Sequence, residues 1–195
     1  MGKEIKLPKP KEKGSTSIEE TLNQRRSVRD YKKGPLSLEQ ISQLLWAASG
    51  KNRYRRTAPS AGATYPLETY LVSGEVEGLE PGLYHYSYSS HILERTKDQD
   101  IRSRLSQAAL GERMIEKAPA SIIIASDYDR TTGYYGQRGI RYVHMEAGHV
   151  GQNVSLQAVA LKLGTVMIGA FEDKQVKEIL GIKEEPLYIL PVGKI

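Results

Sequence analysis

Apolar and polar positions alternate along this chain with two periods, and the switches between them mark out the elements. Ile18 and Leu22, four apart behind the capping-box form Ser17-Ile18-Glu19-Glu20, predict a short helix to about Arg26, with the stem of Arg25 on the same face. Leu38, Ile41, Leu44, Leu45 and Ala48 form a second helical stripe, opened by Ser37 to Gln40 and stopped at Gly50; Trp46 on it is expected in the core. Ile101, Leu105 and Ala108-Ala109 predict a helix ending at Gly111, and Asp173 to Leu180 another closed by Gly181. The longest periodic stretch, Arg141 to Leu163, predicts a helix of about 35 Å. Its small residues Ala147, Gly148 and Gly151 suit burial on several sides, or a meeting with its own copy across a dimer axis.

Period-two and short apolar runs fill the gaps. Thr69 to Ser73, the hairpin arms Leu83 to Tyr88 and His91 to Arg95, Thr165 to Gly169 and Leu187 to Val192 predict strands, and Ala120 to Ala125 reads as a buried central strand. Glu75 to Gly82 and the glycine-bounded Gly133 to Arg138 read as turns. Residues 1–16, with Pro8, Pro10 and Gly14, form an extended arm that is ordered only where it packs on something. Helices first and strands scattered indicate an α+β domain over residues 17–195, not a doubly wound sheet.

Composition narrows the chemistry. The 195 residues, 39% of them hydrophobic, suffice for one domain, or for a subunit whose core a partner completes. The lack of cysteine excludes disulfides, a thiol nucleophile, cysteine-ligated zinc and iron–sulfur centres. No run has the length of a membrane span and the basic start lacks a signal peptide's apolar core, so a soluble cytoplasmic protein is expected. The net charge of +5 lies largely in Lys3 to Lys13 and Lys51 to Arg56, without a nucleic-acid-binding motif, and fits an anionic small ligand better than a nucleic acid.

Two stretches can hold such a ligand. Arg25-Arg26-Ser27-Val28-Arg29-Asp30-Tyr31 packs three guanidinium forks and a hydroxyl into seven residues, which can surround a phosphate; the same residues also make a solvated basic turn. Pro59-Ser60-Ala61-Gly62-Ala63, the first part of a run bounded by Pro59 and Pro66, lets backbone amides approach a flat or anionic ligand, or forms a surface loop. His144 and His149 are five apart, the wrong spacing for two ligands on one helix face, and His144-Met145-Glu146 lacks the paired cysteines of zinc deaminases, so no metal site is expected. No nucleophile elbow, P-loop or dinucleotide fingerprint occurs.

Six segments, in order, carry a resemblance to the FMN-dependent nitroreductase family and its azoline dehydrogenase (SagB-like) branch: Arg25 to Tyr31, Leu44 to Gly50, Arg56 to Glu68, Gly148 to Asn153, Ile168 to Phe171 and Pro191 to Gly193. The resemblance implies a mixed sheet flanked by helices, with a long central helix, in a homodimer holding FMN at its interface. It implies phosphate- and ring-edge contacts from Arg25, Ser27 and Arg29, with Arg26 beside them, and a late phosphate contact from Lys194. Pro59, Ser60, Ala61, Gly62 and Ala63 match the loop that the other subunit lays against the flavin ring; Ile168, Gly169 and Ala170 match the backbone at its N5 edge. It further implies reduction by NAD(P)H and reoxidation by a small electron-poor acceptor in ping-pong fashion. Azoline oxidation in a modified peptide and flavin storage without turnover are the alternatives. The azoline branch carries a Lys-Tyr pair before Gly-x-Arg; here Tyr134-Tyr135-Gly136-Gln137-Arg138 stands in that place, leaving Tyr135 as a phenol able to exchange a proton near substrate, or simply to pack.

Overall fold

The computed structural model describes residues 4–195. Among the described residues, seven strands form one sheet: β1 (Glu4–Lys6), β2 (Leu67–Ser73), β3 (Gly82–Ser87), β4 (Ile92–Lys97), β5 (Ala120–Ser126), β6 (Leu163–Thr165) and β7 (Glu185–Lys194), in the spatial order β1-β4-β3-β2-β5-β7-β6. Every ladder between them is antiparallel, and an isolated Leu36–Val76 bridge is parallel. The described residues also form seven α-helices around the sheet: α1 (Ile18–Gln24), α2 (Leu38–Ser49), α3 (Arg102–Ala108), α4 (Arg113–Lys117), α5 (Asp129–Tyr135), α6 (Arg138–Ala160) and α7 (Asp173–Leu180).

Strand alternation divides the core in two. Leu67, Leu71, Ile122, Ile124 and Leu190 turn to one face, where they meet Leu44 and Leu45 of α2 and Val143, Val150 and Val154 of α6. Val72, Leu83, Ile123 and Ile189 turn to the other, against Leu105 of α3, Ile115 of α4 and Val176 of α7. β5 is buried along its whole length because it has a strand on each side and helices on both faces. The class is α+β, as the element order indicated.

Local signals set several boundaries. The Ser37 hydroxyl accepts from the Gln40 N–H while the Gln40 side chain accepts from the Ser37 N–H, a complete capping box at α2. Gly181 ends α7 in the left-handed conformation. Small residues let α6 lie close to its neighbours: a Cβ at Gly139 would sit 2.9 Å from the Thr131 carbonyl, and one at Gly151 would run into the Met167 sulfur.

Elsewhere tertiary contacts prevail. The arm supplies β1, which pairs with β4, and Lys11 exchanges hydrogen bonds with the Gln43 side chain, so the arm is fastened to its own subunit. On α1 it is Thr21 that is buried; Ile18 and Leu22, expected inside, are 55% and 53% exposed. Trp46 is only half-buried, because its indole N–H reaches the Lys51 carbonyl at the rim of α2. The expected turn at Gly133 is the last part of α5, with the break at Gly136, whose φ is +57°. The strand expected over Thr165 to Gly169 forms earlier, as β6, and overlaps that range only at Thr165; beyond it a single bridge joins Ile168 to Ile189.

Candidate active site

The candidate site residues fall into two groups on the α6 face of the molecule. In the first, Arg25 caps the C-terminus of α1, its N–H bonded to the Thr21 carbonyl, and the chain then runs beside the sheet edge. Val28 donates to the Thr165 carbonyl at 2.9 Å and drops its side chain onto Gly164, where any Cβ would collide with it. The Tyr31 hydroxyl lies 3.1 Å from the carbonyls of both Val28 and Pro191, and burial pushes this phenol far above its usual range, which keeps it a donor. The Lys32 N–H closes the segment on the Lys194 carbonyl.

A rigid seat thus carries Arg25, which is half-buried, and Arg26, Ser27 and Arg29, which are exposed. Among the described residues none of these arginines has a carboxylate within ion-pair distance. Arg26 and Val28 line a cavity of about 130 Å³ with Ser155, Val159 and Thr165. Lys194 extends over Gly34, its Nζ 3.2 Å from where a Cβ would lie. Ile168 exchanges two backbone bonds with Ile189, leaving Gly169 and Ala170 exposed just beyond. Unpaired guanidinium groups on a fixed backbone, with exposed glycine backbone nearby, are a donor set suited to a phosphate-bearing flavin.

The second group is the loop before β2. Ser60 leads into a 3-10 turn, Ala61–Ala63, in which Gly62, Ala63 and then Tyr65 have φ of +57°, +53° and +46°. Many contacts hold this costly shape. The Ser60 hydroxyl accepts from the Tyr65 N–H, Thr64 and Thr131 share a hydroxyl bond of 2.7 Å, and the Arg56 guanidinium lies between the rings of Tyr65 and Tyr88. Tyr135 is half-buried, edge-on to Tyr134 and Tyr142, with its hydroxyl above Gly62. Tyr135 and the Pro59–Ala63 segment are therefore brought together.

Sequence reasoning passed over Glu146, which looked only like part of a rejected metal motif. It lies on α6 beneath the loop, 5% exposed, beside Ser60 and Arg56. Burial pushes its carboxyl up to about 7, although Ser60 and Arg56 pull the other way. Arg130 and Glu68, also unmarked in the sequence, form an ion pair of 2.6 Å behind the loop.

The two groups meet α6 at separate points, the loop at Glu146 and the arginine segment at Ser155, nine residues and about 14 Å along the helix. The model of the nitroreductase family matches residues 22–194. The Methanocaldococcus jannaschii protein MJ1384, named provisionally as a nitroreductase, is 49% identical over 193 residues, which cover 98% of this chain and 96% of that one. A Ralstonia eutropha structure, also provisionally a nitroreductase, superposes with a TM-score of 0.86 at 29% identity over 98% of this chain and 89% of its own. A chain of the Escherichia coli microcin synthetase McbBCD complex, solved with truncated pro-MccB17, gives 0.75 at 25% identity over 97% and 77%. The microcin B17-processing protein McbC is 26% identical over 174 residues, and this chain spans 64% of its length.

Proposed function

This chain belongs to the nitroreductase family, and we propose that it is an FMN-dependent oxidoreductase that works as a homodimer. The observation that carries the proposal is the Arg25–Arg29 segment, pinned by Val28 and Tyr31 to the sheet edge and presenting arginines without internal partners. Arg25, Arg26, Ser27, Arg29 and Lys194 hold the phosphate and ring edge, and Ile168, Gly169 and Ala170 offer backbone beside the ring. A second subunit supplies Pro59, Ser60, Ala61, Gly62 and Ala63, which one chain keeps on its own distant part of α6. Gly148 supports that pairing: a Cβ there would meet nothing within one chain, so its smallness is left for a neighbour, as is the exposed face of Ile18 and Leu22.

When bound, FMN supplies two-electron chemistry, taking electrons from NAD(P)H and giving them to a small electron-poor acceptor. The residues of this chain bind and orient, and their arrangement on one face suits a ping-pong cycle in which donor and acceptor follow each other. In this reading Tyr135, whose hydroxyl lies next to the Gly62 backbone, holds a proton at its phenol oxygen. The test is to titrate the purified protein with FMN and then, without oxygen, with NADH or NADPH. Stoichiometric uptake followed by bleaching of the visible band is expected. A protein that takes up no FMN would remove the proposal, and uptake without bleaching would leave flavin storage.

A second reading, azoline dehydrogenation in a peptide, rests on the similarity to McbC and to the microcin synthetase chain. Tyr134, 75% exposed, occupies the place of the lysine in that branch's Lys-Tyr pair.

A further inference from the structure

Tyr65 is the most constrained residue of the loop. It precedes Pro66, a position that ordinarily demands extended backbone, yet its φ is +46°. Such a conformation persists only where the surroundings hold both of its peptide groups. Its N–H is held by Ser60 at 2.9 Å, a bond within the loop itself. Its carbonyl is held from outside, by Nη1 of Arg130 at 3.2 Å.

Arg130 lies on α5, five residues before Tyr135. The same Nη1 pairs with Glu68 Oε1 at 2.6 Å, and its Nε pairs with Asp127 at 3.2 Å. Each of those partners is itself fixed. Glu68, on β2, receives His85 Nε2 of β3 on its other oxygen at 2.9 Å, and the Asp127 N–H bonds to the Pro66 carbonyl at 2.9 Å. Two successive loop carbonyls, Tyr65 and Pro66, are thus taken by Arg130 and by the residue Arg130 grips. The ring is made by Glu68 and His85 from the sheet, Asp127 just before α5 and Arg130 on it, with Glu94 and Glu184 close to His85.

We propose that Arg130 is a positioning residue: it fastens the strained Ser60–Tyr65 loop to the helix that carries Tyr135, so that loop backbone and phenol keep one spacing. The planar guanidinium is required, since it serves three acceptors in divergent directions at once, which an ammonium on a flexible stem does less well. The inference rests on the proposed flavin site for its functional meaning, but the spacing itself is measurable without flavin.

Amide hydrogen exchange on the full chain, followed in peptides spanning residues 57–67, tests it. In R130Q the exchange of this segment is expected to quicken by about tenfold or more, the worth of a charge-assisted hydrogen bond, while β5 and the C-terminal half of α6 keep their protection. R130K should recover protection only in part. E68Q, which leaves Arg130 in place but removes its paired charge, should move the same peptides in the same direction and carries the test if R130Q does not fold. With FMN bound, R130Q should lower kcat with the acceptor by a larger factor than it weakens FMN binding, because the loop meets only the ring while the phosphate seat lies elsewhere. Unchanged exchange at 57–67 in both R130Q and E68Q, or an equal rise in every peptide, would overturn the assignment. A wild-type protein that takes up no FMN would refute the proposed function and leave the exchange result standing.

Discussion

The hydroxyl of Tyr135 occupies the space that a side chain on Gly62 would need: a Cβ there would lie 2.7 Å from it. Gly62 also has a φ of +57°, so alanine meets a backbone cost as well as a steric one. Gly62→Ala is expected to destabilise the protein by about 1–3 kcal/mol. Adding Tyr135→Phe should return part of that loss, because it removes the closest atom but leaves the φ cost. A denaturant double-mutant cycle checks this; a coupling under about 0.5 kcal/mol would mean that the two residues do not compete for the space.

Glu146 should make stability fall as pH rises. Its folded-state carboxyl titrates near 7 because of burial, against about 4.3 in an unfolded chain, so the native state holds its proton more tightly. The contribution is fully present below about pH 4.3 and is lost as pH rises through 7, amounting to on the order of 3 kcal/mol. His85, raised by its hydrogen bond to Glu68, acts in the same direction, so the informative quantity is the difference between wild type and Glu146→Gln. Urea melts at pH 5 and pH 8 should show that difference shift in favour of the glutamine variant at the higher pH.

Arg25→Ala and Arg29→Ala should separate binding from folding. Neither arginine has an ion-pair partner among the described residues, so thermal midpoints should move little. Each loss should weaken FMN binding by roughly tenfold or more, with a shallower dependence on salt, as read by flavin fluorescence quenching.

Ile18→Asp combined with Leu22→Asp places charge on the exposed face of α1, whose burial rests on Thr21. Sedimentation should show a dimer for the wild type and a folded monomer for the double variant, with flavin affinity lost alongside.

Tyr134→Lys recreates the Lys-Tyr pair at a site exposed enough to accept it without loss of stability. Under the azoline reading, the variant should gain measurable oxidation of an azoline peptide by mass spectrometry; no gain would count against that reading.

Elements whose instructions are local were legible in the sequence. The α2 stripe with its capping box, α7 closed by Gly181 and the apolar run of β5 all carry their signals within a few residues. What escaped depends on distant partners. α5 contains Gly133 and no apolar stripe, and is held by Thr131 on Thr64 and Arg130 on Glu68. The arm becomes β1 only because β4 offers it an edge. In the site, the arginine cluster stood out by composition, whereas Glu146 matters only because a loop 86 residues earlier folds over it.

β1 has one further consequence. Its three residues, Glu4, Ile5 and Lys6, terminate the hydrogen-bonding surface of β4 with a short rung carrying a charge at each end. Peeled away, that rung would leave the backbone of Ile92 to Glu94 open to any passing strand, whereas in place it covers that edge against pairing with another molecule's strand. Trimming the arm is therefore expected to lower solubility before it lowers thermal stability.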